Sequence, residues 1–306
     1  MKILVATEKP FAADAVQKIK QVIDNAGLEF VLLEKYADKS QLLAAVKDVN
    51  AIIIRSDIID AEVLEAAKQL KIVVRAGAGY DNVDLGAASA NGVVVMNTPG
   101  QNSNAVAELA LGLMVYAARS LYDGGSGTEL LGKKLGIHAY GNVGRHVARI
   151  AKGFGMEIYA YDAFVSAEAI EKEGVKALSS AEELYATCQY ISLHIPANAE
   201  TKNSINYTLL EKMPKKAVLV NTARKEVINE TDLVKLMEVR TDFKYLTDVT
   251  PSNDAELKSK FPQRYFTTPK KMGAQTSEAN NNAGIAAANQ IVDFFKTGNT
   301  TFQVNK

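Results

Sequence analysis

Short, continuously apolar runs alternate with segments of helical periodicity along most of the chain. In the first third the apolar runs are KILVAT, FVLLE, AIIIR, KIVVR and VVVMN (2–7, 30–34, 51–55, 71–75 and 93–97). Between the first two, FAADAVQKIKQVIDNAG places apolar residues three and four apart, as in a helix that covers a sheet, and Gly27 is placed to end it. Parallel strands buried on both faces have such continuous apolar runs. The pattern therefore predicts an α/β fold with doubly wound parallel sheets.

The alternation stops at the turn-rich segment NTPGQNSNAV (97–106) and resumes after a long helix. The later apolar runs are KLGIHAYG, EIYAYD, YISLHI, AVLVNTA, FKYLTDV and YFTTP. This break predicts two domains, one of residues 1–98 plus 285–306 and one of residues 99–284. The helical segment that starts at 277 would return the chain to the first domain, where FQVN (302–305) could join the first sheet.

Composition limits the classes of function. The chain has 306 residues, 47% of them hydrophobic and 23% charged, as in a globular protein with a substantial core. Its formal net charge is zero and it has no basic cluster, so no electrostatic signal for nucleic acid or an anionic membrane is present. The single cysteine, Cys188, cannot form an intrachain disulfide, which favours a cytoplasmic location. The apolar run 107–118 is too short to cross a bilayer and predicts a core or interface helix.

Residues 132–162 are the most informative segment. They combine an apolar strand, a glycine turn, an amphipathic helix, a second strand and a final acid, Asp162. The turn reads Ala139-Tyr-Gly141-Asn142-Val143-Gly144, a G-x-G-x-x-G pattern with alanine in the first place. Gly141 would let the backbone approach a pyrophosphate, Gly144 would let the helix pack closely on the strand, and Asn142 and Val143 would begin the helix. Asp162 would accept from both ribose hydroxyls, which favours NAD over NADP. The alternative is an ordinary βαβ unit.

Four further stretches resemble the D-2-hydroxyacid dehydrogenase family. They are RAGAGYDNVDL, NTPGQNSNAVAELALGLM, VNTARKEVIN and TPKKMGAQTSEA (75–85, 97–114, 220–229 and 268–279). The resemblance covers nearly the whole chain. It implies a central Rossmann NAD domain and a discontinuous, flavodoxin-like substrate domain made of both chain ends, with the active site in the cleft between them. It also implies a homodimer, although the loop 122–129 is shorter than the family's.

The same resemblance implies roles for individual positions. Arg224 would bind the substrate carboxylate and the C2 oxygen, because a planar guanidinium holds an oxyanion with two parallel hydrogen bonds. Asp248 would hold the nicotinamide carboxamide. The other implied cofactor contacts are His194, Thr222, Ala223 and Gly273, and the implied substrate contacts are Ala78, Gly79 and Asn102. Alternative roles are a surface salt bridge for Arg224, a structural one for His194 and an ordinary turn for the glycine-rich loop.

Two arginines end successive strands of the first domain. Arg55 and Arg75 would converge on one edge of the sheet, where two cations suit a phosphate. They favour a phosphorylated small hydroxy acid over a bare one. The alternative is that both side chains meet solvent or carboxylates.

The proton carrier departs from the family pattern. The family's histidine would lie in the loop 268–273, and the glutamate that orients it would lie beyond Asp248. This chain has Lys270 and Lys271 in that loop and Asn253 in place of the acid. Counting back from GAQT favours Lys271, and counting forward from TP favours Lys270. An amine has an ordinary pKa of about 10.4, and burial or a neighbouring cation such as Arg224 would bring that pKa closer to neutrality.

The resemblance therefore implies NAD-dependent oxidation of 3-phosphoglycerate to 3-phosphohydroxypyruvate, a step towards L-serine, with lysine as acid and base. One alternative is a reductase of hydroxypyruvate or glyoxylate on the same scaffold. Another is a non-catalytic, NAD-sensing binding protein, because the histidine and the glutamate are both missing.

Overall fold

The chain forms two compact units, residues 1–102 with 275–306, and residues 103–274. The computed structural model describes every residue from 1 to 306. The predicted break at 284/285 would divide one helix, Ser277–Thr297, which the structure keeps whole in the first unit. The reason is packing: a Cβ added to Gly284 would lie 2.6 Å from Ile19 Cδ1 and 3.1 Å from Phe11 Cε1.

The first unit contains a five-stranded parallel sheet in the order β2-β1-β3-β4-β5. Its strands are β1 Lys2–Thr7, β2 Glu29–Glu34, β3 Ala51–Ile54, β4 Ile72–Arg75 and β5 Val94–Asn97. The helices that connect them are α1 Ala13–Asn25, α2 Lys39–Ala45, α3 Ala61–Ala66 and α4 Leu85–Ala90. Every predicted strand of this unit is present, and the strand order is that of flavodoxin-like folds.

The end of the chain returns to this sheet. Gln303 forms an antiparallel bridge with Met96, and the Val304 N–H donates to the Val95 carbonyl at 2.9 Å. The predicted return of FQVN to the first sheet is therefore confirmed, as an isolated bridge at the edge strand β5.

The second unit contains a seven-stranded parallel sheet in the order β12-β11-β10-β9-β6-β7-β8. Its strands are β6 Lys134–His138, β7 Glu157–Tyr161, β8 Lys176–Ala177, β9 Tyr190–Leu193, β10 Val218–Asn221, β11 Lys244–Thr247 and β12 Tyr265–Thr267. Its helices are α5 Ser103–Ala118, α6 Asn142–Gly153, α7 Ala167–Glu171, α8 Ala181–Thr187, α9 Tyr207–Leu210, α10 Glu230–Val239 and α11 Asp254–Lys260, and the C-terminal helix Ser277–Thr297 of the first unit is α12.

The strand order of the second unit reverses direction between β6 and β9. In open parallel sheets, ligands bind beyond the carboxyl ends of the strands at such a switch point.

The two-residue strand β8 was not predicted, because its sequence KA has no apolar run. No helix in the structure is long and apolar enough to cross a membrane.

Candidate functional site

The two glycines of the turn at the switch point have different surroundings. A Cβ added to Gly141 would meet no atom within 4 Å, so this side of the turn is open. A Cβ added to Gly144 would lie 2.5 Å from the Ala139 carbonyl oxygen, so only glycine lets α6 pack this closely. No side chain caps the N-terminus of α6, and its first N–H groups are available to an anion. The geometry fits a dinucleotide pyrophosphate.

Ala139 occupies a backbone conformation that suits glycine. Its φ is 78°, in the left-handed region, where a Cβ costs about 1–2 kcal/mol. The sequence showed alanine at the first position of the pattern, and the structure shows that this alanine keeps the glycine-like turn and bears the strain.

We expect Ala139→Gly to stabilise the protein. Relief of about 1–2 kcal/mol of strain exceeds the roughly 0.4–1 kcal/mol lost to a more flexible unfolded chain, so the free energy of unfolding should rise by about 0.5–1 kcal/mol. Urea denaturation measures the change. Ala148→Gly, within α6, is the matched control and should destabilise by about 1 kcal/mol or more. Loss of stability in both variants would contradict strain at Ala139.

Asp162 follows β7 and connects two loops. Its Oδ2 accepts the Tyr140 N–H at 2.6 Å, and its Oδ1 accepts the N–H groups of Phe164 and Val165 at 2.7 and 2.9 Å. A carboxylate has about four acceptor positions, so capacity remains for a ribose hydroxyl. The three backbone bonds fix the acid beside the glycine turn.

The loop after β10 is shaped by a residue that the sequence argument missed. Asn221 is fully buried, its Oδ1 accepts the Ala223 N–H at 2.9 Å, and its Nδ2 donates to the Arg224 carbonyl at 3.0 Å. These bonds hold Thr222, Ala223 and Arg224 in a tight turn at the carboxyl edge of the sheet. The Thr222 Oγ1 in this turn is buried and has no hydrogen-bond partner.

Asp248, after β11, is a buried carboxylate with one unused oxygen. Its Oδ2 accepts the N–H groups of Gly273 and Met272 at 2.7 and 3.2 Å, whereas its Oδ1 is buried without a partner. Burial raises the pKa of Asp248, while the Gly273 bond and the charges of Lys271 and Arg224 oppose the rise. An unpaired buried acceptor costs free energy. Its presence at the carboxyl end of β11 fits a ligand that donates hydrogen bonds, such as a carboxamide.

The two lysines of the loop differ in their surroundings. Both side chains are exposed. Lys271 directly precedes Met272 and Gly273, whose N–H groups bond Asp248 Oδ2, and its charge, with that of Arg224, opposes the rise in the pKa of this carboxyl. The carbonyl of Lys270 accepts the Thr268 hydroxyl at 2.7 Å. The burial that the sequence argument expected for the lysine is therefore not present, and the choice of Lys271 over Lys270 as proton carrier stays a prediction.

Asn253 begins α11 without capping it. Asparagine at this position usually accepts a hydrogen bond from the first turn of the helix. Here the side chain makes no such bond, and its Oδ1 is buried without a partner.

Two histidines, of which His138 is buried and His194 is partly buried, lie at the ends of neighbouring strands. His138 ends β6 and its Nδ1 is 3.3 Å from the Tyr185 hydroxyl, while His194 follows β9 and its Nε2 is buried without a partner. Burial lowers the pKa of His138 to about 4, against the charges of Asp162 and Glu182. Burial, with the charge of His138, lowers the pKa of His194 to about 3. Both rings are therefore neutral at neutral pH.

We expect these depressed pKa values to destabilise the protein in mild acid. Between the ordinary histidine pKa of about 6.5 and the folded values, the unfolded chain binds protons that the folded protein does not, so the free energy of unfolding falls as pH falls. Each histidine contributes about 1.4 kcal/mol per pH unit in this window. Urea denaturation at pH 7 and 4.5 should show a smaller loss for His138→Gln than for the unmodified protein. An identical loss in both would contradict the assignment.

In the first unit, Arg55 is tied to the main chain. Its Nη1 donates to the carbonyls of Lys9 and Pro10, both at 2.9 Å, and its Nη2 donates to Asn280 Oδ1 at 2.7 Å. The guanidinium carbon also lies 5.2 Å from the centre of the Phe11 ring. Arg55 therefore uses three hydrogen bonds to organise this edge of the sheet.

Arg75 lies beside it and folds over the glycine-rich loop. Its Nε donates to the Arg55 carbonyl at 3.0 Å, and a Cβ added to Gly77 would overlap its Nη1. The next residues of the loop, Ala78 and Gly79, are held by Asn97, whose Nδ2 donates to the Ala78 carbonyl at 2.6 Å. Asn102 lies in the turn before α5 and is partly exposed.

Asp57 is a second residue that the sequence argument missed. It is 2% exposed, and its Oδ1 accepts the Glu8 N–H and the Tyr36 hydroxyl, each at 2.7 Å. Its Oδ2 accepts the Arg55 N–H at 3.1 Å. A buried carboxylate needs such donors, and here it fixes the backbone from which Arg55 extends.

Fold and site together define a class of protein. The strand order of the second unit, the open glycine turn at its switch point, and an acid after β7 are features of a dinucleotide-binding α/β protein. Asp248 adds a second polar site to the one for the pyrophosphate. Its Oδ1 is a buried acceptor without a partner, and the positive charges of Arg224 and Lys271 act on the same carboxylate.

Comparison with known proteins gives the particular family. The model of the NAD binding domain of D-isomer specific 2-hydroxyacid dehydrogenases matches residues 115–270. The chain belongs to this family, and NAD is its cofactor.

The similar proteins include curated D-3-phosphoglycerate dehydrogenases, a curated hydroxypyruvate reductase and several proteins of known structure. The chain is 33% identical to the D-3-phosphoglycerate dehydrogenase of Methanocaldococcus jannaschii over 95% of its own length and 57% of the relative's. It is 34% identical to the hydroxypyruvate reductase of Thermotoga maritima over 86% of its length and 90% of the relative's. The NAD⁺-bound 3-phosphoglycerate dehydrogenase of Entamoeba histolytica is 48% identical, with a TM-score of 0.89 and coverage of 100% and 99% of the two chains. The chain spans little more than half the length of the first curated relatives, 57% and 58%.

Proposed function

We propose that the protein is an NAD-dependent D-3-phosphoglycerate dehydrogenase, which oxidises 3-phosphoglycerate to 3-phosphohydroxypyruvate at the entry to serine synthesis. The observation that carries the proposal is the group around Asp248. The charges of Arg224 and Lys271 both act on this carboxylate, and one of its oxygens is buried without a partner. The 48% identity to the Entamoeba histolytica protein supports the choice of substrate.

In the proposed mechanism, the residues of the second unit bind the cofactor and the reacting acid. The N-terminus of α6 and Gly141 bind the pyrophosphate, and Asp162 binds the ribose. Asp248 Oδ1 accepts from the carboxamide, and Thr222 and Ala223 lie in the turn that contacts the same ring. His194, neutral at neutral pH, adds an uncharged surface to this site. Bound NAD⁺ supplies the hydride acceptor.

Arg224 and Lys271 act on the hydroxy acid itself. The Arg224 guanidinium holds the carboxylate and the C2 oxygen, because its planar donors match an oxyanion. Lys271, as the neutral amine, takes the C2 hydroxyl proton during oxidation, and as the ammonium it returns that proton during reduction. We assign the proton to Lys271 rather than Lys270, because Lys271 directly precedes Met272 and Gly273, whose N–H groups bond Asp248, whereas the Lys270 carbonyl accepts the Thr268 hydroxyl.

For the first unit we propose that Arg75 binds the substrate phosphate. We propose that Arg55 does not bind the phosphate itself but holds the backbone and side chains around it in place. The three hydrogen bonds of Arg55 to Lys9, Pro10 and Asn280 support an organising role. The loop Ala78–Gly79 and Asn102 are proposed to bind the carboxylate through N–H and amide donors.

The proposal is tested by NADH oxidation in the spectrophotometer with 3-phosphohydroxypyruvate, hydroxypyruvate and glyoxylate. We expect the phosphorylated acid to have the highest kcat/KM and Arg75→Ala to reduce that value selectively. The 90% coverage of the Thermotoga maritima hydroxypyruvate reductase favours a second candidate, a reductase of the unphosphorylated acid. Equal kcat/KM values with and without phosphate would support that candidate. NADH binding without oxidation by any of the three acids would instead indicate a binding protein.

We also propose a homodimer, as the resemblance to the family implies. Light scattering of the purified protein at several concentrations tests this assembly. A mass of about 33 kDa, that of one chain, at all of them would reject it.

A further inference from the structure

Phe164 is the most exposed of the large apolar side chains, at 89%. It lies in the loop between β7 and α7, two residues after Asp162. The next residue, Val165, packs against the core of this unit and anchors the loop there. The loop therefore does not need Phe164 for its own packing, and a phenylalanine left in water forgoes the stabilisation that burial would give.

The position of Phe164 is fixed relative to the glycine turn. Its N–H donates to Asp162 Oδ1 at 2.7 Å, and the other oxygen of the same carboxylate accepts the Tyr140 N–H of the turn at 2.6 Å. The other end of the loop is also fixed, because Ser166 caps the N-terminus of α7: its Oγ accepts the Ala169 N–H. One carboxylate thus holds both the turn for the pyrophosphate and the backbone of Phe164.

This placement selects one part of the cofactor. In dinucleotide-binding sheets the acid after the second strand binds the ribose of the adenosine half. The base is bonded directly to that ribose, and a purine offers a flat face that stacks on an aromatic ring. We propose that Phe164 is the adenine-binding residue of this protein, whose ring packs against the base and supplies much of the affinity for the adenosine half of NAD.

The first test uses the absence of tryptophan from the chain. In Phe164→Trp the new indole is the only one in the protein and reports on its own surroundings. AMP, which carries adenine but no nicotinamide, should quench its fluorescence in a saturable way, at the concentrations at which AMP displaces NADH. Phe154→Trp is the matched control, since Phe154 is 42% exposed and follows the opposite end of α6. Emission from position 164 that AMP leaves unchanged would overturn the proposal, as would equal quenching at both positions.

The second test measures affinity. Phe164→Ala should raise the Kd for AMP and for NADH about 10-fold, equivalent to about 1.4 kcal/mol, and Phe164→Tyr should restore both. The Kd for nicotinamide mononucleotide, which lacks adenine, should not change. An equal loss of affinity for AMP and nicotinamide mononucleotide would mean that the loop has rearranged, and unchanged AMP affinity would mean that the ring does not contact the base; either overturns the proposal. Failure of the unmodified protein to oxidise NADH with the three acids, while it binds AMP, would concern only the proposed reaction.

Discussion

Replacement of Lys271 by alanine should lower the turnover number by about 10²–10⁴, the usual contribution of a positioned acid or base. The reason is that the C2 oxygen then exchanges its proton only with water. The Kd for NADH, measured by its fluorescence, should stay within a few-fold of the unmodified value, because Lys271 is exposed and lies in the loop after β12, whereas the pyrophosphate and the ribose are bound by the glycine turn and Asp162.

Lys270→Ala is the paired variant, since it removes the same charge one residue away. Added methylamine should partly restore turnover to Lys271→Ala, because a free amine can enter the space of the missing side chain. The opposite pattern, with loss and rescue only in Lys270→Ala, would assign the proton to Lys270. Unchanged turnover in both variants would exclude lysine as the acid and base.

Arg224→Gln should reduce kcat/KM by about 10²–10⁴. Two charge-assisted hydrogen bonds to the substrate oxygens contribute about 1.5–3 kcal/mol each, and every 1.4 kcal/mol corresponds to a factor of ten. Stability should change little, because the side chain is partly exposed and donates only to the neighbouring Ala223 carbonyl, at 2.9 Å.

Arg224→Lys separates charge from shape. It keeps the cation but lacks the planar pair of donors, so its kcat/KM should fall between those of the glutamine variant and the unmodified protein. Single-turnover measurements under saturating NADH distinguish weaker substrate binding from slower hydride transfer. A lysine variant as active as the unmodified protein would show that Arg224 contributes charge alone.

The sheets could be predicted from the sequence alone, because short, continuous apolar runs are typical of parallel strands that are buried on both faces. Strands such as Ala51–Ile54 and Val218–Asn221 are buried along their whole length, and their composition reflects it. The two-residue strand β8 has no such run and was missed. The boundary at 284/285 lies within the helical segment that returns the chain to the first unit, and the packing of Gly284 on Ile19 places all of α12 in that unit.

The site was predictable where a motif fixes a backbone shape, and less so where buried polar contacts fix it. Asp57 lies just beyond β3, and the donors that bind it, the Glu8 N–H and the Tyr36 hydroxyl, are far away in sequence. Asn221 ends β10 and bonds only two and three residues ahead, to Ala223 and Arg224, but the sequence does not show that the chain turns back on this side chain. The sequence also could not show that Arg55, a predicted phosphate ligand, donates to the carbonyl groups of residues 9 and 10. Similarly, the sequence could not show that the alanine of the glycine turn has a positive φ.

The order of the two units along the chain has a consequence for synthesis on the ribosome. Residues 103–274 form one uninterrupted segment, whereas the first unit needs α12, which packs against α1 and is translated after residues 103–274. Domains generally fold as units during translation. The cofactor-binding segment can therefore complete its sheet while the amino-terminal hundred residues, already outside the exit tunnel, still await their final helix. In that interval the face of α1 that α12 later covers is open to chaperones.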